Sequence, residues 1–171
     1  MPDTSDPAAT ELGSPLADRD AWSTANCSVG RALEVVGTRS AVLMMREAYY
    51  GTRRFDDFAR RVGISEPVAA ARLRELVDAG LLVRRPYREP GARSRMEYRL
   101  TTKGRDLLPA VIALMQWGDN YAADPAGPPV ELRHRDCGGE VRAELRCADG
   151  HHVVAREIAV NAGPGARGAV G

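Results

Sequence analysis

Phe55-Asp-Asp-Phe-Ala-Arg-Arg-Val-Gly-Ile-Ser-Glu-Pro-Val-Ala-Ala-Ala-Arg-Leu-Arg-Glu-Leu-Val-Asp-Ala-Gly80 holds two helical patterns separated by one corner. In the first, Phe55, Phe58, Ala59 and Val62 fall on one helix face, and Gly63 supplies the residue that ends it. In the second, Ser65 is a good N-cap and Glu66 favours the positive end of the helix dipole. Pro67 is tolerated there because first-turn amides lack intrahelical acceptors. Ala69, Leu73 and Leu76 form the apolar stripe, and Gly80 closes the helix. Two short helices about a Gly-Ile-Ser corner predict a helix-turn-helix.

Upstream, Ser28 is positioned to cap a helix in which Val29, Ala32, Leu33 and Val36 recur at i, i+3, i+4 and i+7 before Gly37. The dense apolar run from Ala41 predicts a second helix, to Tyr50, buried on most sides. Downstream, Leu81–Arg85 and Met96–Leu100 read as strands joined through Pro86, Pro90 and Gly91. Thr101-Thr102 caps a last helix from about Lys103 to Tyr121, with Pro109 implying a kink or a late start. The fold class is therefore mainly α with a β-wing, a winged helix-turn-helix, plus a small C-terminal β-hairpin unit. The domain reading is a disordered arm over 1–20, the winged helix over 21–123 and a linker over 124–129. A small β-rich extension follows over 130–162, with strands at Val130–His134, Glu140–Cys147 and His152–Val160, and then a flexible tail over 163–171.

The 171 residues carry 24 Lys+Arg against 23 Asp+Glu, a net charge of +1 that by itself argues against nucleic acid. Resolved along the chain the neutrality disappears. Residues 46–105 hold fifteen basic groups against eight acidic, while residues 1–20 hold one against five. A basic module between acidic flanks is the charge distribution of a nucleic-acid footprint. No run approaches the ~18 apolar residues of a membrane span, the first twenty residues do not read as a signal peptide, and three scattered cysteines make no secreted disulfide framework. The expectation from composition is an intracellular, cytoplasmic protein with no membrane partner.

Cys27-Ser-Val-Gly-Arg-Ala-Leu-Glu-Val-Val-Gly37, Arg54-Phe-Asp-Asp-Phe58, Gly63-Ile-Ser65 and Arg72-Leu-Arg-Glu-Leu76 carry a closer resemblance, continued by Ala79-Gly-Leu-Leu82, Glu97-Tyr98 and Leu100-Thr-Thr-Lys-Gly104. Over about residues 27–118 this succession resembles the HxlR-type regulators, winged helix-turn-helix transcription factors related to the MarR group. The resemblance implies a homodimer built through the first and last helices, bound to a roughly palindromic double-stranded DNA operator. It also implies that a cysteine ahead of the first helix, here Cys27, can sense electrophiles or oxidants; a helix N-terminus lowers a thiol pKa. The chain departs from the family pattern at Arg39-Ser40, where a Lys-Trp pair is usual, and at Ala70 and Ala71, which replace polar residues.

At 100° per residue, Pro67, Ala70, Ala71 and Arg74 point away from the apolar stripe, toward a major groove, with Ser65 and Arg72 beside them. Arg74 is the candidate for a guanine or phosphate contact, and the alanines offer only apolar contact. Arg88, Arg93 and Arg95 flank the wing tip, while Arg53 and Arg54 stand where backbone phosphates would pass. Alternation along the wing, which also carries Arg84, Arg85 and Arg99, sends some arginines to the core side.

His134-x₂-Cys137-x₉-Cys147-x₃-His151 offers four N and S donors on two glycine-containing turns, a pattern with which Zn²⁺ can be held. The segment resembles a zinc-ribbon-like extension of some actinobacterial relatives whose second turn reads Cys-x-x-Cys; here that position is Gly150, so the ribbon is degenerate. The other reading is a small hairpin unit with exposed histidines. No cofactor is required, and Zn²⁺ is the one group implied. There is no phosphate-cradling glycine loop and no Ser-His-Asp set, so no enzyme is expected. A rival to the regulator is a protein-interaction module whose DNA face is idle.

Overall fold

A computed structural model describes residues 10–88 and 94–168. The described residues form two units: those within 32–143, and those within 1–31 together with 144–171. Its elements are β1 (Glu11–Leu12), α1 (Ser28–Val36), α2 (Arg39–Tyr49), α3 (Phe55–Val62), α4 (Glu66–Asp78), β2 (Leu82–Tyr87), β3 (Arg95–Leu100), α5 (Thr102–Asp106), α6 (Leu108–Tyr121) and β4 (Ala159–Val160).

In the larger unit the expected helix-turn-helix and wing are present. Met44 and Met45 of α2, Phe58 of α3, Leu73 and Leu76 of α4 and Leu82 of β2 are fully buried in one core. At roughly 1.5–3 kcal/mol for each such side chain, this cluster is what holds the three helices against the wing. Thr38 caps α2 by accepting from Ala41 N at 3.2 Å. Gly63 (φ +70°) ends α3 in the left-handed conformation. The wing strands pair antiparallel, Leu82 opposite Leu100 and Tyr87 opposite Arg95. Phe58 meets Tyr98 edge-on, with ring centroids 6.1 Å apart.

The last helix begins twice. α5 stops at Asp106, and α6 starts at Leu108 with Pro109 in its first turn, where the missing N–H costs nothing. The start of α5 is tied to the end of α4. Thr101 N donates to Leu81 O (3.1 Å), Thr101 Oγ1 to Gly80 O (2.6 Å) and Lys103 Nζ to Ala79 O (2.8 Å). Gly104 is buried against this seam, and its carbonyl accepts from the Tyr49 hydroxyl at 2.6 Å. Burial pushes the Tyr49 phenol up to about 12.

α1 and α6 contain no buried residue. Val29 and Leu33 on α1, and Leu114, Trp117 and Tyr121 on α6, are all more than half exposed. Among the described residues no helix is long and apolar enough to cross a membrane.

Several expectations need correcting. Glu11–Leu12, inside the arm read as disordered, pair in parallel with Ala159–Val160, and Leu16 is buried. Gly163–Gly168 are likewise held: Ser23 N donates to Arg167 O (2.9 Å), and Asn26 Nδ2 to Gly165 O (3.1 Å). Two-residue pairings between distant segments leave no periodicity to read. The three strands read across 130–160 are instead two tight turns, each with one bridge (Arg133–Glu140 and Arg146–His152), followed by the short β4. Ser28 lies inside the first turn of α1 and not before it.

Candidate nucleic-acid interface

α4 buries Ala69, Leu73 and Leu76 and thereby turns the opposite face outward. On that face Pro67 and Arg74 are exposed, and Arg74 has no hydrogen bond or ion pair among the described residues. Val68 is also exposed, at 43%. No sequence signal singles it out. Ala70 and Ala71 are half-buried, because a methyl barely rises above the neighbours one turn away. Arg72 differs most from its expected place: its guanidinium pairs with Glu75, and its Nε is buried without a partner. It lies on the flank of α4 that turns toward the core.

Ser65 takes the N-cap backbone conformation (φ −66°, ψ 152°), yet its hydroxyl makes no cap hydrogen bond. A cap of α4 can bind the amides of its second and third residues, and Pro67 removes one of them. Ser65 is exposed, as are Pro67 and Val68 next to it.

Arg53 and Arg54 lead into α3. Arg53 is exposed, with its carbonyl accepting from Tyr98 N at 2.8 Å, so the wing's second strand is pinned beside it. The Arg54 guanidinium lies 5.2 Å from the centre of the Tyr87 ring. On α3, Arg60 donates to Asp57 (2.6 Å) and holds that carboxyl below its usual range, helped by Arg61 and Arg54.

Along the wing Arg84, Arg85, Arg88 and Arg95 are exposed, whereas Arg99 pairs with the buried Glu97. Arg84 and Arg85 are thus better placed than their mid-strand positions suggested. Arg93 lies outside the described residues.

Cys27 is exposed and free. Its carbonyl accepts from Arg31 N at 3.0 Å, which sets it at the N-terminal end of α1. The four Cys and His residues read as metal ligands divide into two pairs. Cys137 Sγ lies 3.3 Å from His134 Nδ1 in the larger unit. In the smaller unit Cys147 Sγ lies 3.5 Å from His151 Nδ1. Asp149, which the spacing argument did not use, completes a group of three with Cys147 and His151.

The HxlR-like helix-turn-helix family matches residues 35–125. An uncharacterised HTH-type transcriptional regulator of Mycobacterium tuberculosis strain H37Rv is 49% identical over 139 residues, 81% of this chain and 87% of that protein. The crystal structure of PA1607, a candidate transcription factor, superposes with a TM-score of 0.71 at 39% identity, covering 80% of this chain and 94% of that one. The oxidised form of the redox regulator HypR gives a TM-score of 0.52 at 29% identity, over 57% of this chain and all of HypR.

Proposed function

The chain belongs to the HxlR-like helix-turn-helix family of transcriptional regulators, and from that premise we propose that it binds a palindromic operator as a cytoplasmic homodimer whose affinity responds to oxidation or alkylation of Cys27. The family and the relatives named above are regulators and not enzymes. The observation that carries the DNA reading is the outward face of α4. Ser65, Pro67, Val68 and Arg74 are exposed there, with Arg53, Arg84, Arg85 and Arg95 exposed on the neighbouring elements. An α4 of thirteen residues is of a size to enter a major groove, and the wing arginines suit phosphates or a minor groove.

Dimerisation is supported by Val29 and Leu33 of α1 and Leu114, Trp117 and Tyr121 of α6, large apolar side chains left exposed in the single chain. A two-fold dimer would repeat α4 on two half-sites about one DNA turn apart. The Cys27 role is supported by its exposure at the head of α1 and by the likeness to a redox regulator.

A mobility-shift assay on the DNA upstream of the chain's own gene tests the reading. Binding should fall ~10³-fold between 50 and 200 mM salt if the dimer neutralises ~6 phosphates. Failure to bind at low salt would favour the protein-interaction module. Alkylation of Cys27 should change operator affinity, and an unchanged affinity removes the sensor role alone.

A further inference from the structure

We propose that the turn from Cys147 to His151 binds one divalent metal ion of the Zn²⁺ class, through Cys147 Sγ, His151 Nδ1 and an Asp149 carboxylate oxygen, with water in the fourth position. The three donor atoms lie within 4.8 Å of one another. The 3.5 Å between Cys147 Sγ and His151 Nδ1 matches a tetrahedral edge. Bonds of about 2.3 Å to sulfur and 2.05 Å to nitrogen put those atoms about 3.6 Å apart.

The turn is fixed before any ion arrives. Cys147 N donates to His151 O (3.1 Å), Gly150 N to Cys147 O (2.9 Å) and Val153 N to Leu145 O (3.0 Å). Gly150 takes φ +84°, the left-handed conformation that folds residues 147 and 151 onto one side. Ligands at i, i+2 and i+4 are thereby held with little ordering left to lose. Arg146, next to Cys147 in the chain, pairs with Glu144 at 2.8 Å while also donating to Gly150 O.

The donor set selects the ion. A thiolate and an imidazole favour Zn²⁺ over Mg²⁺ or Ca²⁺, which prefer oxygen donors throughout. On binding, the Cys147 thiol proton passes to solvent and the thiolate takes its place on the metal. The turn at His134 and Cys137 is poorer: His134 Nδ1 already accepts from Cys137 N at 3.4 Å, and its Nε2 lies 4.0 Å from Asp136. Three ligands with one open position allow exchange, so the ion is readily removed by chelators.

The test titrates Co²⁺ into the untagged full chain under a non-thiol reductant, and does not depend on DNA binding. A thiolate-to-cobalt charge-transfer band should saturate at one equivalent and be displaced by Zn²⁺. Cys147→Ser should remove the band. His151→Ala and Asp149→Ala should each weaken binding beyond the roughly 10–100-fold that loss of an outer-shell partner costs. Cys137→Ser should leave the band in place. No band in the unaltered chain, or a band that survives Cys147→Ser, overturns the site. A band lost in both cysteine variants shows three ligands to be insufficient and overturns it equally.

Discussion

Gly104→Ala separates two forces of opposite sign. Alanine is the best helix former and glycine among the worst, so propensity alone predicts a gain of about 1 kcal/mol inside α5. Packing predicts the reverse. A Cβ built on Gly104 falls 2.1 Å from Leu81 O, 3.1 Å from Leu81 C and 3.2 Å from Leu100 Cδ2. The first two atoms are backbone, so the clash is relieved only by moving α5 away from the start of β2 by about 1 Å. That shift strains the bonds that knit the seam: Thr101 N to Leu81 O, Thr101 Oγ1 to Gly80 O, Lys103 Nζ to Ala79 O and Tyr49 Oη to Gly104 O. Losing about two of these at ~1 kcal/mol each, with overpacking at ~1–3 kcal/mol, outweighs the propensity gain. The net expectation is a destabilisation of about 2–4 kcal/mol. Urea denaturation at fixed protein concentration measures it, since the stability of the proposed dimer would depend on concentration. Thr101→Ser, which keeps the hydroxyl, should cost well under half as much. A Gly104→Ala chain as stable as its parent, or more stable, would refute the seam as a rigid contact.

Three further outcomes follow from other parts of the molecule. Arg74→Ala should weaken operator binding by about 1–3 kcal/mol and relax specificity if the side chain reads a guanine; an unchanged affinity in a mobility shift removes it from the interface. Trp117→Asp places a charge on the uncovered face of α6, where Trp117 is 62% exposed and its ring centre lies 5.6 Å from that of Tyr121. In sedimentation the parent should be a dimer and the variant a monomer, so a variant that stays dimeric refutes α6 as the seam. Tyr49 is raised from 10.0 to about 12, so folding favours its protonated form; the associated stability is intact below about pH 10 and is lost as pH rises toward 12. In a tyrosinate absorbance titration one of the five tyrosines should ionise last, and Tyr49→Phe should delete that step.

What could be read ahead of the structure was whatever a repeating pattern or a glycine stop encodes. α2, α3 and α4 each present an apolar stripe, and Gly51, Gly63 and Gly80 all take positive φ where those helices end. Pro109 announced the second start of the closing helix. A single residue carries less, because a side chain's partner is set in three dimensions. Ser65 has the composition of a cap, but Pro67 deletes one of its target amides. Arg72 sits next to the outward positions of α4 in sequence yet pairs with Glu75. The β1–β4 pairing joins segments almost 150 residues apart through two residues each, which no local pattern can announce. Asp149 carries no signal until the turn brings it to Cys147 and His151.

The charge distribution shows how structure sharpens a compositional argument. The excess over residues 46–105 counts every arginine alike, but the fold divides them. Arg46 is held by the buried Glu47 at 2.8 Å, Arg60 by Asp57 at 2.6 Å, Arg72 by Glu75 and Arg99 by Glu97. To meet a phosphate, each of these would first give up a carboxylate, at a cost of at most ~1 kcal/mol for the exposed Arg60–Asp57 pair and more where the carboxylate left behind is buried, as with Glu47 and Glu97. Arg53, Arg74, Arg84, Arg85 and Arg95 are exposed with no such pair among the described residues, so on the proposed DNA face they would displace counterions without that prior loss. Two copies of five arginines set the scale of the salt dependence that these groups can produce. Full engagement gives a slope of log affinity against log salt near −9, and ~6 contacts a slope near −5. A slope shallower than about −3 would mean that most of these arginines stay in solvent, and that the basic surface serves something other than a duplex.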